Sequence, residues 1–182
     1  RDHALVVLIR QGDEAAFHEL YLRYHQRLLE FAAAILHTTD HAKDILHDVF
    51  ARLWLKRDTL NITGRVDVYL YKAVRYSAID IRRRQRRSQW FADSVMATAR
   101  GVPGHGTAPA FADRQTAEDD AQGVAMRVIA NLPPTEQRVV LLRWRYGLSN
   151  QEIAEVLEKT PGAVAVYLSR AKDALRRALL TD

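Results

Sequence analysis

Five arginines crowd six positions in Arg82-Arg-Arg-Gln-Arg-Arg87. On a helix of about 3.6 residues per turn they point nearly all round, which rules out a single ion-paired face. Contact with the phosphates of a polyanion is the economical chemistry, with binding that weakens steeply as salt rises. A merely solvated basic helix end is the plain alternative. A second signal lies further on. Ser149-Asn-Gln-Glu152 is a capping box, in which Ser149 accepts from the backbone N–H three residues on while Glu152 reaches back. Thr160-Pro161 then offers an N-cap followed by proline at the first helical position. The two short helices so defined, 149–157 and about 161–178, have the spacing of a helix-turn-helix, whose second helix enters the major groove while the first braces it. With Val164, Leu168 and Ala171 turned inward, Gly162, Ala163, Val166, Tyr167, Arg170 and Lys172 face outward. A helical hairpin inside a bundle is the competing reading.

A third constellation, His37, His41, Asp44, His47 and Asp48, holds side chains that ligate metals. The turn at Thr38-Thr39-Asp40 breaks the helical spacing of His37 and His41, and no HExxH pair or second cluster supports them. Neither a metal nor another cofactor is therefore expected. A serine-nucleophile motif is missing, and Gly101-Val-Pro-Gly-His-Gly106 lacks the Lys-Ser/Thr of a phosphate-binding loop. No catalytic set emerges, and the chain reads as a binding protein rather than an enzyme.

The composition agrees. Of 182 residues, 48% are apolar and 27% charged, and none is Cys. That suits one or two folded domains and argues against global disorder. Without Cys, disulfides, thiolate metal sites and cysteine nucleophiles are excluded, which fits a cytoplasmic setting. The longest apolar runs, 4–9 and 31–36, are too short to span a bilayer, so no membrane insertion is expected. Residues 1–30 lack the order of a signal peptide. The net charge of +5 is unevenly placed. Residues 1–57 carry eight basic and eight acidic side chains, 58–92 eight and three, 93–123 two and five, and 124–182 nine and six. Two positive blocks flank an acidic stretch, which suits contact with a polyanion at two places.

Helices must position these groups. Phe17, Leu20, Tyr21, Tyr24, Leu28, Phe31 and Ile35 recur at steps of three and four and predict one long amphipathic helix. Ala42, Ile45, Leu46, Val49, Phe50 and Leu53 make a second stripe. Val66, Tyr69, Leu70, Ala73 and Val74 start a third, which runs into the arginines. Apolar periodicity then fails between about Gln89 and Asp120, where Gly101, Gly104, Gly106, Pro103 and Pro109 read as a flexible linker. Beyond it, 121–131 predicts a short helix, and Pro134 opens another that runs from Thr135 to Tyr146 and stops at Gly147. The expectation is all-α: two small helical domains, 1–92 and 121–182, joined by a linker over 93–120.

On these residues a family resemblance rests. Leu132-Pro-Pro-Thr-Glu-Gln-Arg138 and its continuation through Leu148-Ser-Asn-Gln-Glu-Ile-Ala154 to Leu175 resemble region 4 of bacterial sigma-70-type factors. Gly12-Asp-Glu-Ala-Ala-Phe17, Ala42-Lys-Asp-Ile-Leu-His-Asp-Val-Phe50 and Tyr69-Leu-Tyr71 resemble region 2. With only these two regions, the chain is similar to the extracytoplasmic-function (ECF) sigma factors. The resemblance implies a protein that binds core RNA polymerase, through the β′ clamp helices and the β flap, and directs it to promoter DNA. An anti-sigma factor is implied as a further partner. The clamp-helix contact would fall on 40–57, through Asp44, His47 and Asp48, with apolar contact from Leu53 and Trp54. For Leu53 a place in the core is the stronger reading. Regions 2.3 and 2.4 would hold the melted −10 strand, with Asn61, Thr63 and Arg65 from a polar loop and Tyr69, Lys72, Arg75 and Tyr76 from a stacking, cationic face that also includes Tyr71. Arg82, Arg83 and Arg84 would continue it. The −35 duplex would meet Thr160, Gly162, Ala163, Val166, Tyr167, Arg170 and Lys172. Several positions depart from the family pattern: His41, Lys43 and His47, Tyr69 and Tyr76, Ala165 and Tyr167, and the turn Glu158-Lys159. A helix-turn-helix regulator that never engages polymerase is the alternative, but it leaves 40–57 and the arginine run without a joint purpose.

Overall fold

The structure is a computed structural model that describes residues 1–36, 38–96 and 121–179. The expected linker lies outside the described residues from 97 onward. Within them the chain forms α1 (Asp2–Arg10), α2 (Glu14–Leu36), α3 (Thr39–Leu55), α4 (Val66–Met96), α5 (Ala121–Asn131), α6 (Pro134–Val140), α7 (Asn150–Leu157) and α8 (Pro161–Leu179), with no strand among the described residues. The all-α expectation holds.

The apolar run over 4–9 forms most of α1 and buries Leu5, Val6 and Ile9. Gly12, at φ +87°, turns the chain in a conformation that only glycine adopts without steric cost. Asp13 then caps α2, its Oδ1 accepting from the Ala16 amide at 3.0 Å. Each predicted stripe reaches the core: Leu20, Leu28, Phe31 and Ile35 of α2, Ile45, Leu46 and Val49 of α3, and Val66, Leu70 and Val74 of α4 are buried, whereas Tyr69, also read into the α4 stripe, is exposed. Phe17 and Tyr21 lie nearer the rim. Phe17 meets Trp54 at 5.0 Å between ring centroids and Tyr21 meets Phe50 edge-on at 4.9 Å, geometries that aromatic quadrupoles favour.

In the second half, α5 and α6 close on α8 around Leu132, Val140 and Ala171. One expectation fails here. The helix from Thr135 does not continue to Tyr146 as a single α-helix: α6 ends at Val140 and Leu141–Arg145 forms a π-helical turn. The wider turn brings Leu142 and Tyr146 inward together, 0% and 7% exposed, while Trp144 stays outside. Gly147, at φ +71°, ends the segment as predicted.

A single apolar core runs through both halves. At its centre Tyr71 of α4 stacks on Tyr146 at 5.3 Å and meets Phe31 edge-on at 5.2 Å. Tyr71 is 1% exposed, so its expected place on a strand-binding surface is corrected: its position in the α4 stripe next to Leu70 turns it inward. Its hydroxyl is buried without a hydrogen-bond partner. Tyr71→Phe is therefore expected to leave the unfolding free energy unchanged or raise it by about 1 kcal/mol. Phe31→Ala, at a fully buried site, is expected to lower it by about 3–5 kcal/mol. Urea denaturation of the two variants checks both.

Candidate nucleic-acid and polymerase interface

The outer face of α3 presents Asp44, His47 and Asp48, all exposed and about one helical turn apart. Asp44 lies 4.0 Å from His41 and Asp48 lies 3.7 Å from Arg52; both carboxylates stay open to solvent. Leu53 belongs to the stripe of Val49 and Phe50 and is buried. It helps seat α3 from the core place that its stripe favoured. The apolar side chain exposed at this end is Leu55, 74% exposed, which the sequence reading missed because two positions on a helix are enough to reverse its facing. Trp54 is half-buried, and the Arg57 guanidinium covers its ring at 4.7 Å.

A groove of about 470 Å³ separates α3 from α4. Val49 and Leu53 contribute to its apolar lining, and Arg52, Tyr69, Tyr76 and Arg84 add aromatic and cationic groups. Tyr69 and Tyr76 are 38% and 52% exposed. Open tyrosines between arginines are the composition that stacks unpaired bases and neutralises the phosphates between them. Asn61 and Thr63 are exposed in the loop before α4, as are Arg83 and Arg84 further along the helix. Arg82 turns back and donates to the Ile35 carbonyl at 3.4 Å. Arg84 pairs with Asp80 at 2.7 Å.

Four more of the expected strand contacts are occupied from within. Arg65 pairs with Asp67 and donates to Glu152 Oε1 at 2.9 Å. Lys72 Nζ donates to Glu155 Oε1 at 3.0 Å, Arg75 Nη2 to Glu158 Oε2 at 3.0 Å and the Tyr76 hydroxyl to Glu158 Oε1 at 2.5 Å. Hydrogen bonds from Arg75 and Tyr76 hold the Glu158 carboxyl below its usual range. The same hydrogen bond from Tyr76 pushes the Tyr76 hydroxyl up. Partial burial raises Glu152, but the Ser149 hydrogen bonds and Arg65 outweigh it and bring the carboxyl down.

The helix-turn-helix forms as its caps foretell. Ser149 accepts from the Glu152 amide at 3.3 Å and the Ser149 amide donates to Glu152 Oε2 at 2.7 Å. Thr160 accepts from the Ala163 amide at 3.2 Å. Between the helices Glu158 adopts the left-handed conformation, φ 53° and ψ 52°, which disfavours any residue with a Cβ. On α8, Val164, Leu168 and Ala171 are buried, Gly162, Val166, Arg170 and Lys172 are exposed, and Ala163 and Tyr167 are half-buried. Tyr167 packs against the core, while Arg170 sits 3.7 Å from the buried Glu136. Among the described residues no three His, Asp or Glu side chains gather into a metal site; His37 lies outside those residues. No described helix is long and apolar enough to cross a membrane.

With this geometry in hand, two family matches decide the class. Sigma-70 region 2 matches residues 20–88 and Sigma-70, region 4 matches residues 123–175. The chain belongs to the sigma-70 family. Its relatives include the ECF RNA polymerase sigma factor SigW of Bacillus subtilis, 25% identical over 94% of this chain and 92% of that one. The ECF RNA polymerase sigma-E factor of Escherichia coli is 22% identical over 96% and 92%. Two solved structures share the fold. CnrH in complex with the cytosolic domain of CnrY has a TM-score of 0.62 at 19% identity, covering 100% of this chain and 98% of that one. The sigma factor RpoE of Bartonella quintana, in complex with the anti-sigma factor NepR, has a TM-score of 0.64 at 19% identity over 91% and 98%. This sigma factor thus carries regions 2 and 4 in the order read from its sequence.

Its two regions meet again at Glu30, which Arg145 grips through Nε at 2.8 Å and Nη2 at 2.9 Å and which the Tyr146 hydroxyl approaches at 2.8 Å. Burial pushes the Glu30 carboxyl up, but these bonds together with Gln26 overcome it and hold the group below its ordinary 4.5. A depressed carboxyl stabilises the fold fully above its unfolded value and loses that contribution as pH falls through the folded one. Stability is therefore expected to decline as pH drops below 4.5, and Glu30→Gln to flatten part of that decline. Urea titrations across pH 3–7 check it.

Proposed function

We propose that this sigma factor binds core RNA polymerase through the outer face of α3, holds the melted −10 strand along α4 and the loop before it, and reads the −35 duplex with α8. The observation that carries the reading is the adjacency of two unlike faces within region 2. The open carboxylates Asp44 and Asp48 stand on α3, and the groove behind them is lined by Tyr69, Tyr76, Arg52 and Arg84. One surface fits a basic partner and the other fits unpaired bases and phosphate. On this reading Asp44, His47, Asp48 and Trp54 meet the β′ clamp helices, joined by Leu55. Asn61, Thr63, Arg65, Tyr69, Lys72, Arg75, Tyr76 and Arg82–Arg84 meet the −10 strand. Thr160, Gly162, Ala163, Val166, Arg170 and Lys172 meet the −35 element, with Tyr167 at the edge of that face. The domains are 1–92 and 121–182, with 93–120 passing between them.

The chain itself performs no chemical step; the polymerase forms the phosphodiester bond. Its place is the cytoplasm, where core polymerase and promoter DNA are met. The β flap is the partner for region 4, and an anti-sigma factor is a further partner, supported by the fold shared with RpoE, a sigma factor solved with the anti-sigma factor NepR.

The test is in vitro transcription with purified core polymerase and a genomic DNA library. Specific starts that require the protein support the reading. Duplex binding without core binding or specific starts overturns it in favour of a free helix-turn-helix regulator. Asp44→Ala combined with Asp48→Ala is expected to weaken core binding by about tenfold, the order that removing two charge contacts costs, with helicity by circular dichroism unchanged.

A further inference from the structure

Arg75 and Arg82 stand seven residues apart on α4, two helical turns and therefore on one side of the helix. That side turns toward the junction with region 4. Arg75 reaches Glu158 at 3.0 Å with its side chain only 14% exposed. Arg82, half-buried, reaches the Ile35 carbonyl in the last turn of α2 at 3.4 Å. Against the same helix α2 packs α6, which brings a third guanidinium, that of the half-buried Arg138. Burial pushes the Arg138 guanidinium below its usual range, and the charges of the nearby Arg82 and Arg75 push it further the same way.

The charges at this junction do not balance. Among the described residues Arg75 alone of the three has a carboxylate, Glu158. Arg82 has the Ile35 carbonyl, and Arg138 has the Thr135 hydroxyl at 3.4 Å; both partners are neutral. Holding cations partly out of water without a counter-ion is costly, and like charges close by add to the cost. Each guanidinium also carries five N–H donors in a planar fork, so most donors of Arg82 and Arg138 are left unused. The species that offsets the cost and takes those donors together is an anion with several oxygens pointing in different directions. Phosphate-type groups meet that need, because they accept forked bonds from more than one arginine at once.

We infer that Arg75, Arg82 and Arg138 form a site for a small, free, polyvalent oxyanion of the phosphate class, seated where α4 and α6 approach the end of α2. Two of its residues come from region 2 and one from region 4, so the site exists only where the regions touch. Arg138 separates it from the proposed −10 face: a strand held along α4 takes Arg75 and Arg82 but has no need of a residue on α6. The site goes beyond promoter recognition and stands whether or not α4 holds the −10 strand.

The test uses the full chain and inorganic pyrophosphate, titrated by calorimetry at an ionic strength held constant with sodium chloride so that general screening does not change. One pyrophosphate is expected to bind per chain. Arg138→Gln and Arg82→Gln are each expected to weaken it by at least about tenfold, the order lost with charge-assisted hydrogen bonds. Arg127→Gln, which removes one charge from an exposed position of region 4, is expected to change it by less than about twofold, the scale of a surface charge. Urea denaturation gives a second readout: pyrophosphate is expected to raise the midpoint of the parent and not that of Arg138→Gln, because only an occupied site stabilises the fold. A mixed-sequence single strand of about 12 nucleotides is expected to bind Arg138→Gln as it binds the parent. The inference is overturned if chloride competes with pyrophosphate on equal terms, if all three variants weaken pyrophosphate alike, or if pyrophosphate stabilises Arg138→Gln as much as the parent. It is also overturned if Arg138→Gln weakens the single strand as strongly as pyrophosphate, which gives the three arginines to the DNA backbone instead. Failure of the sigma-factor reading shows separately, as absence of binding between the parent chain and core polymerase.

Discussion

The surface of region 2 depends on one packing constraint: α4 must bury Val66, Leu70, Tyr71, Val74 and Ala78 against α2 and α3 at once. Their spacing of three and four fixes the rotation of the helix. Once that rotation is set, Tyr69, Lys72 and Tyr76 have no place but the outer face, and Arg75 lies at its edge. The aromatic and cationic face of α4, proposed above to hold the −10 strand, is in this sense a by-product of the core. The same locking aligns α3, so that its carboxylates and the groove stand next to each other, with Arg52 reaching from Asp48 at 3.7 Å to the Ser77 hydroxyl at 3.4 Å. What this arrangement provides is a rigid spacing between the α3 carboxylates and the aromatic, cationic groove.

How much of this the sequence disclosed follows from how local each signal is. The stripes of α2, α3 and α4 repeat over several turns, so their buried faces were legible. Ser149, Glu152 and Thr160 act on amides three residues away, and both caps form as read. Gly147 marked a stop for the same reason. Less legible were features that depend on distant partners. The π-helical turn at Leu141–Arg145 exists because Leu142 and Tyr146 must both reach a core that lies partly in region 2. Tyr71 read as a surface aromatic because the periodicity of α4 alone does not say that Tyr146 waits on the other side. Leu53 took the place in the core that its stripe favoured, whereas the exposure of Leu55 was not legible, because the phase of the outer face of α3 is fixed only by the packed bundle.

The charge pattern shows the same division. Counting blocks along the chain exposed two basic segments, and both lie where nucleic-acid contact is assigned. Counting could not show that three of the acids in the second segment, Glu152, Glu155 and Glu158, neutralise bases in the first. Net charge per segment is a local quantity, whereas pairing across the fold is not. The positive potential offered to a polyanion is therefore set by the arrangement of the two regions as well as by composition.

The capping box at the start of α7 has one more consequence. Glu152 uses its two oxygens for different purposes: Oε2 accepts from the Ser149 amide at 2.7 Å and Oε1 accepts from Arg65 at 2.9 Å. The carboxylate that finishes the first turn of a short helix is thus also the one that region 2 grasps. Holding the oxygen from one side restricts the rotamer needed on the other, so nucleation of α7 and its docking on region 2 are cooperative through a single side chain.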